Sequence, residues 1–204
     1  MKLILASASP RRAQILRDAG LRFERARANV GERRKPGETP RMMTRRLAEA
    51  KARAVVNKLR NKAAEAIIIG ADTVVEVRSE MLGKPRSQQA AREMLAKLAG
   101  RTHRVVTSIA AIRLPDQAQA IATESTRVRF AHLTAREIAE YVNSGEPVDK
   151  AGAYGIQGIG GRFIEKIDGC YFNVVGLPLA RVYRMLINLG WQPSRRNRGG
   201  TPPG

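Results

Sequence analysis

"AIIIGADTVVEV" occupies residues 66–77, and its reading decides the fold. Residues 67–69 and 74–75 are β-branched and nearly continuous. A run of this kind marks a strand covered on both faces, near the middle of a sheet. Gly70 and Asp72 are expected to interrupt it. Upstream, residues 3–6 read as a short buried strand, and Ser9-Pro10 supplies an N-cap and a first-turn proline for a helix. Ile15, Leu16 and Ala19 are that helix's apolar side, and Gly20 ends it. Residues 24–39 are polar and broken by Gly31, Pro36 and Gly37, which predicts a loop. A long helix is expected over about 39–65, because Met43, Leu47, Ala50 and Ala54 repeat at helical spacing, with Lys51 at the edge of that stripe.

Downstream, "LGKPRS" predicts a turn, and Ser87 caps a helix carrying Met94, Leu95 and Leu98. Residues 103–114 and 120–130 are rich in Val, Ile and Thr around Pro115-Asp116, the pattern of an antiparallel hairpin. Thr134 and Glu137 form a capping box, "RFIEKI" reads as a strand, and Pro178 opens a last helix. Strands and helices alternate, yet one hairpin is antiparallel. The fold class is therefore α/β, a mixed twisted sheet flanked by helices with a cleft, and not an all-parallel sheet. The organisation predicted is one domain over residues 1–192, followed by a basic Arg, Gly and Pro tail at 193–204 that reads as disordered.

The chain has 204 residues with 37 Lys plus Arg against 18 Asp plus Glu, a net charge of +19. Such a balance points to polyanions, or to an arginine bias spread over solvated faces. One cysteine, Cys170, excludes an internal disulfide and a cysteine zinc cluster, and fits a reducing cytoplasm. Two histidines, His103 and His132, argue against a histidine metal site. "MKLILASA" imitates a secretory leader, but its apolar core is only about four residues, against about 7–15 in a true one. No stretch approaches the about 20 apolar residues of a membrane span.

Four stretches carry chemistry. In "LASASPRR", Arg11 and Arg12 lie in the first turn of a helix, where the dipole disfavours cations by about 0.3–1 kcal/mol each. Ser7, Ser9 and the free N–H groups of that turn suit a phosphate, and two guanidinium groups suit a polyphosphate. The plainer alternative is an exposed basic turn. In "GADTVV", a carboxylate inside an apolar run demands a partner. Asp72 is a Mg²⁺ ligand, a general base or both, or else a strand-end Asp bonded to backbone N–H groups. In "GKP", Gly83 and Pro85 hold Lys84 in a turn where it can clamp phosphate. In "DKAGAYGIQGIGG", the glycines allow a ligand to approach the backbone, and Gln157 suits a base edge, with a flexible connector as the alternative. Neither a Walker A nor a GxGxxG fingerprint is present.

Six segments, "LASASPRR", "LAEAKA", "GADTVV", "GKP", "AGAYGIQG" and "GCYFNVVGLPL", resemble the Maf family of nucleoside triphosphate pyrophosphatases in order and spacing, from Leu3 to about Gly190. The resemblance implies two lobes around an active-site cleft, related to inosine triphosphatases, often as a homodimer. It also implies hydrolysis of a nucleoside triphosphate to monophosphate and pyrophosphate with Mg²⁺ or Mn²⁺. By position, it makes Asp72 the general base, places Ser9, Arg12, Lys51 and Lys84 on phosphate, and sets Glu32 with Asp72 near the metal, although "ANVGERR" departs from the family's acidic pattern. Arg11, Thr73 and Gln157 fall on the positions that sort substrates and match the dTTP/UTP type. The implied purpose is removal of surplus or non-standard pyrimidine nucleotides, with a link to cell-division arrest. A basic regulator of nucleic acid without catalysis is the alternative. It lacks a helix-turn-helix or RNA-binding signature, and with four Phe and one Trp it has few rings for stacking bases, so nucleic acid is expected to bind nonspecifically at most.

Overall fold

The computed structural model describes residues 1–59 and 65–192. Strand β3 (Ala66–Val77) runs through Gly70 and Asp72 without a break. The expected interruption is absent because β5 (Thr102–Leu114) pairs antiparallel with it residue for residue, from Ala66 opposite Leu114 to Glu76 opposite Arg104. A ladder of that length carries one Gly and one Asp at little cost. On the other edge the pairing is different. Strand β1 (Lys2–Leu5) runs parallel to residues 66–69, and β4 (Glu80–Leu82) pairs antiparallel with residues 75–77. Neither reaches residues 70–74, so the centre of β3 has a notch on one edge.

The sheet order is β2 (Glu24–Arg25), β1, β3, β5, β6 (Gln119–Phe130) and β7 (Ile164–Asp168), with β4 also on β3. Only β2 and β3 run parallel to β1; every other pair is antiparallel. The mixed sheet flanked by helices follows the expectation, although β2 lies in a stretch read as loop and β4 extends into the "LGKPRS" turn. Helices α1 (Pro10–Asp18) and α6 (Leu179–Asn188) cover one face with Leu3, Leu5, Ile67 and Ile69. Helix α2 (Pro40–Leu59) covers the other with Ile4, Ile68 and Ile112. Ile67, Ile68 and Ile69 are each fully buried, which contributes about 1.5–3 kcal/mol per side chain.

Beyond the notch the same strands enter a second core. There Val75, Val77 and Val105 meet Leu95 of α3 (Gln88–Leu98) and Tyr141 of α4 (Ala135–Asn143). The two lobes thus share one sheet, and residues 70–74 lie between them. The capping box at Thr134 and Glu137 forms in both directions.

Helix α2 is described as far as Leu59; the rest of the stretch expected to be helical, residues 60–64, falls outside the described segments, as does the tail at 193–204. A short helix that the sequence pattern conceals, α5 (Tyr171–Val175), lies within a β-prone stretch. Its turn is held by the fully buried Asn173, whose Nδ2 donates to Val105 O and Thr126 Oγ1, both at 2.9 Å. No helix among the described residues is long and apolar enough to cross a membrane.

Candidate active site

The notch opens into a cleft of about 790 Å³, the size of a nucleotide site. Its wall includes every residue singled out above: Ser9, Arg11, Arg12, Glu32, Lys51, Asp72, Thr73, Lys84 and Gln157.

Gly70 is what brings α2 into reach. A Cβ at that position would lie 2.2 Å from Ala48 O and 2.7 Å from Ala52 N, so the helix and strand backbones meet only because glycine has no side chain. Two residues along, on the same face, stands Asp72. Lys51, between Ala48 and Ala52, donates from Nζ to Asp72 Oδ1 at 2.7 Å and pairs with Glu32 Oε1 at 2.6 Å. Asp72 Oδ2 accepts no hydrogen bond among the described residues. Glu32 arrives on the loop before α2. That loop is pinned by Glu38, whose carboxylate accepts from Arg46 Nε (2.5 Å), Arg46 Nη2 (2.7 Å) and Lys35 N (2.8 Å).

The two carboxylates around Lys51 are driven apart in proton affinity. Burial pushes Asp72 above its ordinary value, against the pull of Lys51 and Arg12. Glu32 is half-exposed, and there the hydrogen bond and charge of Lys51, with Lys84 and Arg12 behind it, outweigh desolvation and hold it below. Divergence of this kind separates a proton acceptor from a permanently charged neighbour.

The adjacent arginines have different fates. Arg12 turns inward and is 9% exposed. Its Nε donates to Gly176 O (2.8 Å), Nη1 to Ala71 O (2.8 Å) and Ser7 Oγ (3.2 Å), and Nη2 to Thr73 Oγ1 (3.0 Å). Ala71 O lies in the notch, where no strand supplies a partner. Arg12 is therefore no idle cation awaiting an anion: it seals an open sheet edge and ties α1 to the turn after α5. One N–H on Nη2 is left over from its five donors. Arg11 reaches across the cleft to Asp149, with Nη1 to Oδ2 at 2.9 Å and Nη2 to the carbonyl at 3.2 Å. The dipole cost expected of a first-turn cation is met by protein groups in both cases.

Ser9 caps α1, accepting from Arg12 N at 3.4 Å, and Ser7 Oγ accepts from Ser9 N at 3.2 Å. Lys84 is exposed on the cleft wall. Thr73 bonds Arg12 and Thr107 Oγ1 (2.9 Å), and none of its hydrogen bonds goes to Gln157. Gln157 is exposed on the cleft wall, on a loop fastened by Glu146 and Tyr141. Sequence reasoning missed those two, together with Asp149, Thr107 and Asn173, since none stands at a spacing that marks it.

The donor set suits a hard cation. Glu32 and Asp72 both contact Lys51 Nζ, and among the described residues no group of three or more His, Cys, Asp or Glu that could hold a metal ion occurs. A metal here would take two carboxylates and fill its remaining positions from phosphate and water, the habit of Mg²⁺.

Comparisons with known proteins give the family. A dTTP/UTP pyrophosphatase of Syntrophomonas wolfei is 46% identical over 187 residues, covering 91% of this chain and 96% of its own. Proteins of the same name from Koribacter versatilis and Escherichia coli O157:H7 are 47% and 45% identical, covering 93% and 96% of this chain and 95% and 97% of their own. A solved structure, a nucleoside-triphosphatase / dITP/XTP pyrophosphatase from Mycobacterium abscessus, aligns over 93% of this chain and 98% of that one at 15% identity and a TM-score of 0.42, too loose a likeness to argue from. The model of the Maf-like proteins matches residues 2–189, nearly all of the described chain, and the protein belongs to that family.

Proposed function

We propose that this protein hydrolyses dTTP and UTP to the nucleoside monophosphate and pyrophosphate. The observation that carries this reading is the Glu32–Lys51–Asp72 cluster in a notch of the central strand. It places a buried carboxylate of raised proton affinity, one oxygen unengaged, in a nucleotide-sized cleft walled by cations. The names carried by relatives of about 45% identity support the substrate pair.

In the reaction a water oxygen attacks the α-phosphorus, and the bond to the bridging oxygen breaks. Asp72 takes the water proton through its open oxygen and so acts as the general base. Lys51 holds the other oxygen and keeps the carboxylate oriented. Lys84, Ser9 and Arg12 line the cleft and would offset charge on the departing pyrophosphate. Glu32 and Asp72 would hold a Mg²⁺ or Mn²⁺ ion, which supplies further charge neutralisation on the phosphates. At the other end, Gln157 can donate and accept at once and so matches the O4 and N3–H edge of uracil or thymine. Arg11, Thr73 and Gln157 together support the pyrimidine reading. The lone cysteine fits a cytoplasmic location, and a homodimer is the assembly that the family resemblance suggests.

The test is a panel of nucleoside triphosphates incubated with the protein and Mg²⁺, with pyrophosphate as readout. UTP and dTTP should be hydrolysed faster than CTP and the purines. Release of orthophosphate, or preference for 7-methyl-GTP or GTP, overturns the reading in its reaction or in its substrate respectively.

A further inference from the structure

The loop that presents Gln157 is built around one carboxylate. Glu146 follows α4 in a 3₁₀ turn (Glu146–Asp149) and is not part of the cleft wall. Its Oε1 accepts from Tyr141 Oη at 2.8 Å and from Gly160 N at 3.1 Å, and its Oε2 from Ile159 N at 2.7 Å. Tyr141 Oη in turn accepts from Gly155 N at 3.1 Å. Backbone N–H groups on both flanks of Gln157 are therefore tied, directly or through one phenol, to the same side chain. Bonds to an ionised carboxylate are about twice as strong as neutral ones. The fit is close: a Cβ at Gly158 would stand 2.3 Å from Glu146 Oε2, and one at Gly160 would stand 2.5 Å from Tyr141 Oη. The glycine density of "YGIQGIGG" thus serves this carboxylate as well as any ligand.

We infer that Glu146 is the positioning residue for Gln157, fixing where the Gln157 amide meets the base and hence the choice between uracil and cytosine. The inference rests on Gln157 as the base reader. An amide discriminates the two edges only if it cannot flip or slide, and Gln157, exposed and with no hydrogen bond of its own side chain among the described residues, has only its backbone to hold it. Glu146 holds that backbone, while Asp72, Lys51 and Glu32 lie on other elements and stay as they are. Its loss should be felt in recognition and not in chemistry.

The experiment measures kcat and KM for UTP and CTP, in the full chain with Mg²⁺, for the wild type, Glu146→Gln, Tyr141→Phe and Gln157→Ala. It adds amide exchange of Ile159 and Gly160 without substrate. Glu146→Gln puts an NH₂ where a carboxylate oxygen accepted. It should lower the UTP over CTP preference by at least about fivefold, the scale of one misplaced buried hydrogen bond. The change should lie in KM, with kcat for UTP little altered, and exchange at Ile159 and Gly160 should quicken. Tyr141→Phe keeps the ring and should move the same quantities less. Should Glu146→Gln fail to fold, Tyr141→Phe decides: lowered preference supports the inference and unchanged preference overturns it. Unchanged preference in Glu146→Gln beside lost preference in Gln157→Ala overturns the inference alone. Unchanged preference in Gln157→Ala overturns Gln157 as base reader, and the inference with it. Equal loss of kcat for both substrates makes Glu146 merely structural and also overturns it.

Discussion

The two ends of the cleft are built by different means. At the proposed reaction end, Asp72 and Lys51 ride on a twelve-residue strand and a twenty-residue helix, locked together by backbone contact at Gly70. At the proposed base end, Gln157 rides on a loop between short 3₁₀ turns, held by Glu146, Tyr141 and the packing of Tyr154. The first arrangement is rigid because long elements cannot shift without breaking a ladder. The second is adjustable because its geometry hangs on a few hydrogen bonds. Sites on regular elements are held more precisely than sites on loops.

The contrast is tested hardest at Asp72. Asp72→Asn keeps shape and removes the proton acceptor, so turnover should fall by at least about 10²-fold. Circular dichroism should show the fold retained, because β3 keeps all its ladder partners. Near-normal turnover would move the base elsewhere and dissolve the reaction end as drawn.

Next come the neighbouring arginines, one at each kind of contact. Arg12→Ala strands Ala71 O and Gly176 O in a buried setting and should cost about 2 kcal/mol or more of stability without any nucleotide present. Arg11→Ala removes a partly exposed pair with Asp149, worth about 0–1 kcal/mol. Chemical denaturation of the two variants checks this. Equal effects would mean that the notch does not need sealing.

A smaller effect than that of Arg12→Ala is a pH dependence near Tyr154. His103 is buried against Phe130, shares a 2.8 Å hydrogen bond with Tyr154 Oη, and is pushed down by burial to about 4. Between its ordinary value of 6.5 and about 4 the unfolded chain binds a proton that the folded protein refuses, so stability falls as pH drops through that window. From pH 6.5 to 5 this group should remove on the order of 1 kcal/mol. His103→Gln should lack that slope, measured as urea midpoint against pH. An identical slope in the variant would assign the loss to other groups.

The reaction end was largely legible beforehand. Period and β-branching marked β3, the carboxylate inside it announced a partner, and Lys51 stood at the edge of a helical stripe. Its finer features were not legible. The strand was expected to break at Gly70 and Asp72, when Gly70 is where the helix docks. The arginines were expected to wait for phosphate, when both already hold protein acceptors. At the base end the sequence showed a glycine-dense loop and Gln157, but nothing marked Glu146, thirteen residues before Ile159, as its anchor. Asn173 likewise lies in a stretch whose β-branched residues hide a helix.

What the sequence by itself determined is whatever depends on local period and residue chemistry: the mixed α/β class, the central strand, the helix caps and the residue types that the cleft requires. What only the tertiary structure decided is which of those groups meet. Strands β1 and β4 cover opposite ends of one edge of β3 and leave residues 70–74 open between them, so that Lys51, Glu32 and Arg12 reach the gap from three other segments. Register, close backbone approach and hydrogen bonds between distant residues arise from packing in three dimensions, and a one-dimensional pattern does not contain them.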